Sequence, residues 1–227
     1  VSFRSQVQAM RIKILHDIDS LLDYRAEWER LLESTPSHSF FLTWSYLVSW
    51  LETYGQDSKI CILLAYDEED TLRGIAPMEI TTGESGPRSH LRILSFLGSL
   101  SEAFTEYPGV LGADKDQLEV ISAFCDSIHG ELGDQWDLVS LPYLPTSCDQ
   151  THLMNEELTQ LGYSIQQYQV DSAYSVPFTG SWDDYLKTRS KNFRKKLRNR
   201  WNRLQADFER VEILEAGMDL SPKEVLE

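Results

Sequence analysis

The spacing of hydrophobic and polar positions changes several times along this chain, and each change predicts a different element. Residues 10–15 (MRIKIL) alternate apolar and basic side chains, the twofold period of a strand. From about Asp19 the period lengthens. Leu21, Leu22, Arg25, Trp28, Leu31 and Leu32 make one stripe of a helix that Pro36 ends. A second helix is expected from Thr43 or Trp44 to Tyr54, with Trp44, Leu47, Val48, Leu51 and Tyr54 on one side and Gly55 as its stop. Three strands follow in series. Residues 59–66 (KICILLAY) read as a central strand and Asp67 to Asp70 as an acidic turn. Residues 72–81 return as a strand in which Gly74 and Pro77 signal a bulge or an edge, and 91–97 supply the third strand. Turns this short join antiparallel neighbours, so a meander is expected.

The second half reads as a short strand near 107–111, then a helix from Asp114 to about Leu132 with Gln117 in the reciprocal box position. Leu118, Ile121, Phe124, Cys125 and Ile128 form the buried side of that helix. A strand at 136–141, a helix at 149–162 and alternating stretches at 163–170 and 173–178 follow. Ser181 then caps a long helix, with Asp184 three positions on. Leu186, Phe193, Leu197, Trp201, Leu204 and Phe208 recur along it at helical spacing, a stripe that needs a partner surface. Residues 211–214 suggest a strand, and Ser221 and Pro222 the N-cap and first position of another helix. This order predicts an α/β fold: a mixed, mainly antiparallel twisted sheet flanked by helices, neither a Rossmann arrangement nor a TIM barrel.

Composition places the chain among ordinary soluble globular proteins, with 41% hydrophobic and 25% charged residues over 227 positions. The greasiest run, residues 40–51, is too short to cross a bilayer, which takes roughly 20 apolar residues. No signal-like leader opens the chain, and the final residues read as the first turn of a helix. Cys61, Cys125 and Cys148 are scattered and odd in number, which suits free thiols in a reducing, cytoplasmic setting.

Charge alters the picture more. The chain carries a net −15 and a pI near 4.7, which disfavours DNA and makes RNA a poor partner. Yet nine of its 21 basic residues fall between Lys187 and Arg203. Such a helix can be docked with its long side chains reaching water, can complement acidic surface elsewhere in the chain, or can face an anionic group such as a coenzyme phosphate, RNA or lipid headgroups. Arg189, Lys191, Arg194 and Arg198 are the candidates for anion contact.

Familiar catalytic signatures are missing. There is no GxGxxG, P-loop, HExxH, GxSxG or CxxC. His16, His38, His90, His129 and His152 lie too far apart to announce a metal site. Glu102, Glu106 and Tyr107 could form a base and acid pair at a strand mouth, although a solvated loop with one packed ring is the simpler reading. No catalytic residue is assigned.

Several stretches, taken in order, resemble one bacterial family. They are FLTWSYLVSW (41–50), GIAPM (74–78), LRILSFLG (91–98), WDLVSL (136–141) and SKNFRKKLR (190–198). The family is the CelD/BcsL-like acetyltransferases, associated with cellulose or exopolysaccharide biosynthesis and belonging to the GNAT superfamily. Its build is similar to the tandem-GNAT Fem-type aminoacyl transferases. The resemblance implies a first GNAT-like domain over residues 10–180 and the first elements of a second over 181–227. It implies an N- or O-acyltransferase using acetyl-CoA or another acyl-CoA on a small-molecule or saccharide acceptor, with peripheral association to an envelope-synthesis complex. In such proteins the acyl donor is expected on the later part of the second domain, and the glycine-rich donor loop does not occur in these 227 residues. The alternatives are a non-catalytic GNAT-like binding or scaffolding domain and a Fem-like transferase using charged tRNA.

Overall fold

The structure is a computed structural model that describes residues 9–35, 39–55, 58–83, 89–101, 105–146, 148–172, 174, 176, 180–209 and 211. It divides into two compact units, Val1–Ser172 and Ala173–Glu227.

The first unit is built on a six-stranded sheet. Strands β1 (Arg11–Leu15), β2 (Lys59–Tyr66), β3 (Leu72–Thr82) and β4 (Arg92–Phe96) lie side by side and antiparallel, as the short turns require. The β2–β3 turn is tied by Asp67, whose Oδ1 accepts the Glu69 and Thr71 N–H groups while Asp70 takes φ +61°. Strand β5 (Leu111–Gly112) rejoins the same side of β3, opposite Ile75 and Gly74. Strand β6 (Leu138–Val139) is parallel to β4. That one parallel pair needs a crossover, and α4 (Gln117–His129) supplies it.

Both faces of the sheet are covered. Helix α4 and α5 (Asp149–Gln160) pack on one face, over Cys61, Leu63, Met78, Leu94 and Phe96. On the other face α1 (Ile18–Leu22), α2 (Arg25–Ser34) and α3 (Trp44–Tyr54) close over Ile60, Ile62, Leu64, Ile75 and Leu111. Strand β2 is therefore apolar on both sides, and it reads as a continuous hydrophobic run rather than an alternating one. Trp28 is fully buried and donates its indole N–H to the Leu42 carbonyl at 2.8 Å, which pins α2 to the turn before α3.

Pro77 stands inside the central strand, and the neighbourhood explains how. Its carbonyl accepts the Leu97 N–H, so its nitrogen, on the same side of an extended residue, faces the break between β4 and β5. The predicted edge signal is real but local to that break, and the bulge signal is real as well: the pairing steps from Ala65 opposite Gly74 to Tyr66 opposite Leu72, so Arg73, beside Gly74, is the extra residue of β3.

Several predicted elements differ. The first helix is broken into α1 and α2, because Asp23 caps one and Tyr24 precedes the other. Asp116 rather than Asp114 is the N-cap of α4, after a 3-10 turn over Asp114–Asp116, and no side chain caps it. Residues 163–170 form no strand. Ile165, Tyr168 and Val170 are exposed, so the alternation does not correspond to a buried face. Residues 173, 175, 177 and 178 of the last alternating stretch lie outside the described residues, as do 212–214 and Ser221 with Pro222.

The second unit's described elements are α6 (Trp182–Thr188) and α7 (Lys191–Asp207), two helices where the pattern predicts one. Ser181 and Asp184 form the expected reciprocal box at the start of α6. The break comes at Ser190, whose hydroxyl accepts the Phe193 N–H and so begins a new helix. Among the described residues the apolar stripe is largely uncovered: Phe193, Trp201, Leu204 and Phe208 are all exposed.

Candidate functional site

In the first unit the chemistry collects where β4 leaves β3. Glu79 and Ser95 are directly opposite each other across that pair, so both side chains point to the face beneath α3. Both are shut away from solvent, at 1% and 0% exposure. One Glu79 carboxylate oxygen accepts the Gly98 N–H at 2.8 Å. Among the described residues its Oε2 and the Ser95 Oγ are buried without a hydrogen-bond partner. Burial pushes the Glu79 carboxyl above the ordinary carboxylate range, and hydrogen bonds from the Ser58 side chain and the Gly98 backbone offset part of that rise.

Gly98 is the hub of this corner. Its φ is +74°, and a Cβ there would sit 2.5 Å from Thr105 Oγ1 and 2.9 Å from Trp50 Cε2. Its carbonyl accepts the Thr105 N–H at 3.0 Å, and Thr105 Oγ1 lies 3.5 Å from the Tyr46 hydroxyl. Glu79 is chemically able to hold a proton, but no substrate touches a carboxyl this enclosed. Sequence reading passed over both. A lone Glu and a lone Ser in a strand look like its polar face, and only the cover of α3 makes them unusual.

The parallel strands stay together briefly. They are in register only at Ile93 with Leu138 and Leu94 with Val139, followed by a bond from the Ser140 N–H to the Leu94 carbonyl. Further along the same side, the Gln150 side chain at the start of α5 takes over. Its Oε1 accepts the Val110 N–H at 3.1 Å and its Nε2 donates to the Val110 carbonyl at 2.8 Å. One amide thus satisfies both backbone groups as a neighbouring strand would.

Of the candidate base and acid group, Glu102 lies outside the described residues. Glu106 and Tyr107 are exposed, with Tyr107 at φ +47°, and neither reaches Glu79 by any described bond. Cys61 and Cys125 are buried, and burial raises the Cys61 thiol to about 11, which keeps it protonated at neutral pH. Among the described residues no group of His, Cys, Asp and Glu could hold a metal ion, and no helix is long and apolar enough to cross a membrane.

The second unit carries the anion-contact candidates. Lys191, Arg194 and Arg198 line one groove together with Trp182, Leu186, Leu197 and Trp201, enclosing about 760 Å³. The spacing of three, four and three from Lys191 to Trp201 explains why cations and ring share one face of α7. Arg189 is used differently. Its guanidinium lies over the Tyr185 ring at 4.7 Å and its Nε donates to Thr188 Oγ1.

No family model matches the chain, and no curated protein matches its sequence significantly. Solved structures similar to it include the aminoglycoside antibiotic 6'-N-acetyltransferase AAC(6')-Ih from Acinetobacter baumannii, at 12% identity and a TM-score of 0.43 over 74% of this chain and 100% of that one. AAC(6')-Iy in complex with a bisubstrate analogue is similar at 10% identity and a TM-score of 0.44, over 74% and 100%. A probable acetyltransferase is similar at 17% identity and a TM-score of 0.39, over 76% and 100%.

Proposed function

We propose that this chain is part of an acyl-CoA-dependent N- or O-acyltransferase of GNAT type. Residues 10–180 would be its first GNAT-like domain and 181–227 the opening of a second. Its setting would be cytoplasmic, and its acceptor a small molecule or saccharide of polysaccharide or envelope metabolism, handled beside an envelope-synthesis complex. The observation that carries the reading is the sheet itself: an antiparallel meander that ends in a parallel pair, crossed over by α4 and parting after two residue pairs. The ends of a parallel pair that parts early are the kind of place where a ligand meets an α/β sheet.

The first unit does not fit the coenzyme's phosphates. A helix start attracts anions through its free N–H groups, but α4 begins with Asp116 and carries Glu119 in its first turn. The edge beside the parting strands is already hydrogen-bonded by Gln150. The first unit thus has the character of a supporting domain, and no step of acyl transfer is assigned to its residues. The same two observations favour, as the second reading, a non-catalytic binding or scaffolding domain. Lys191, Arg194 and Arg198 concentrate positive charge in the second unit, and no part of the donor is assigned to them.

Isothermal titration with acetyl-CoA separates the two readings. Saturable binding, with release of free coenzyme A when candidate acceptors are added, is expected of the enzyme. Binding of neither acetyl-CoA nor coenzyme A would favour the scaffolding domain.

A further inference from the structure

We propose that the α6–α7 groove is a docking surface for an anionic phospholipid bilayer. A docked helix usually turns its apolar side inward and its cations outward. Here the two kinds share one opening: Trp182, Leu186, Leu197 and Trp201 make the floor, and Lys191, Arg194 and Arg198 line it with them. The occupant must therefore offer hydrocarbon and negative charge within one side chain's reach. Soluble phosphate and nucleic acid offer the charge without the hydrocarbon. The headgroup layer of an anionic bilayer offers both, and it is where indole rings and arginines settle together.

Charge complementarity points the same way. From Ser181 to Asp207 nine basic residues stand against three acidic ones, a surplus of six, whereas the whole chain carries −15. An anionic surface attracts this helix pair and repels the acidic remainder of the chain. The Trp201 ring is open to do this, at 46% exposed. The two helices stay on the surface, since neither can span a bilayer.

The test is sedimentation of the whole chain with vesicles of phosphatidylcholine alone and of phosphatidylcholine mixed with phosphatidylglycerol, with tryptophan emission followed in parallel. The chain should pellet with the mixed vesicles only, with a blue shift in emission. Replacing both Arg194→Ala and Arg198→Ala should weaken binding about thirtyfold, the effect of two basic residues at an anionic surface. Trp201→Ala should reduce both the binding and the shift. Lys195→Ala with Lys196→Ala removes the same charge outside the groove and should cost clearly less. Far-UV circular dichroism checks that each variant keeps its helices. Equal affinity for both vesicle types, no pelleting, or equal losses from the two double variants would each overturn the proposal. So would self-association in vesicle-free sedimentation velocity that Trp201→Ala abolishes, since a second copy would then cover the groove. None of these readings depends on acetyl-CoA, so this proposal and the acyltransferase reading fail separately.

Discussion

Arg92 and Asp137 bind each other through backbone and side chain together. The Asp137 N–H donates to the Arg92 carbonyl, the Arg92 N–H returns a bond to Asp137 Oδ2, and the guanidinium holds both carboxylate oxygens at 2.8 and 3.0 Å. The pair stands where β4 and β6 begin, so it sets the register of the only parallel contact described in the sheet.

That contact predicts a pH dependence. Arg92 lowers the Asp137 carboxyl to about 2, chiefly through its side-chain bond and then through its N–H. A carboxyl lowered in the folded state stabilises the fold above its ordinary value, and the contribution is lost as pH falls through the folded one. Urea midpoints measured between about pH 5 and 2 should therefore decline less steeply in Asp137→Ala than in the parent. At pH 7 the variant should be the less stable of the two.

Glu79 has the opposite sign. Burial raises its carboxyl, so the fold prefers the protonated form, and this contribution is lost as pH rises through the folded value. Glu79→Gln keeps the shape and an acceptor for Gly98, and it cannot ionise. It should be more stable than the parent at pH 8, and the gap should close toward pH 4. Equilibrium denaturation at the two pH values checks it.

Gly74 is a packing prediction. A Cβ there would lie 2.3 Å from Val120 Cγ1, closer than atoms approach, so α4 rests on the bare backbone of β3. Gly74→Ala should cost about 1–3 kcal/mol as overpacking. Adding Val120→Ala should recover part of that loss, and the double-mutant cycle should show strong coupling.

Gln150 tests the surrogate strand. Gln150→Leu leaves the buried Val110 N–H and carbonyl without their partner, each at a cost of about 1–3 kcal/mol. Hydrogen exchange at Val110 should accelerate more than at Leu63 in the middle of β2.

Thiol labelling offers a simple check of burial. In the native chain Cys148 should react with a neutral disulfide reagent while Cys61 and Cys125 wait for unfolding. All three should react in denaturant.

Much of the architecture is legible in the residues. The alternation in residues 10–15, the apolar run of 59–66 and the stripe from Trp44 to Leu51 each correspond to an observed element. Ser181 and Asp184 cap α6 by the box their spacing predicts. Errors came where local pattern met two possible outcomes. Ser190 interrupts a helical stripe without breaking its period, because the next helix resumes in phase enough for Phe193, Leu197 and Trp201 to continue it. Ile165, Tyr168 and Val170 alternate like a strand, but alternation alone supplies no neighbouring edge to pair with.

Local chemistry, then, set periodicity, caps, turns and the concentration of positive charge, because those depend on residues within a few positions of one another. Partnership across the chain came only with folding. Glu79 became a buried carboxyl because α3 closed over β3 and β4, and Gln150 became a strand substitute because α5 begins beside Val110. Lys191, Arg194 and Arg198 came to line one groove with Trp182 because the chain turns at Ser190. Burial, and what it does to charge, depends on groups distant in the chain, and no local window contains them.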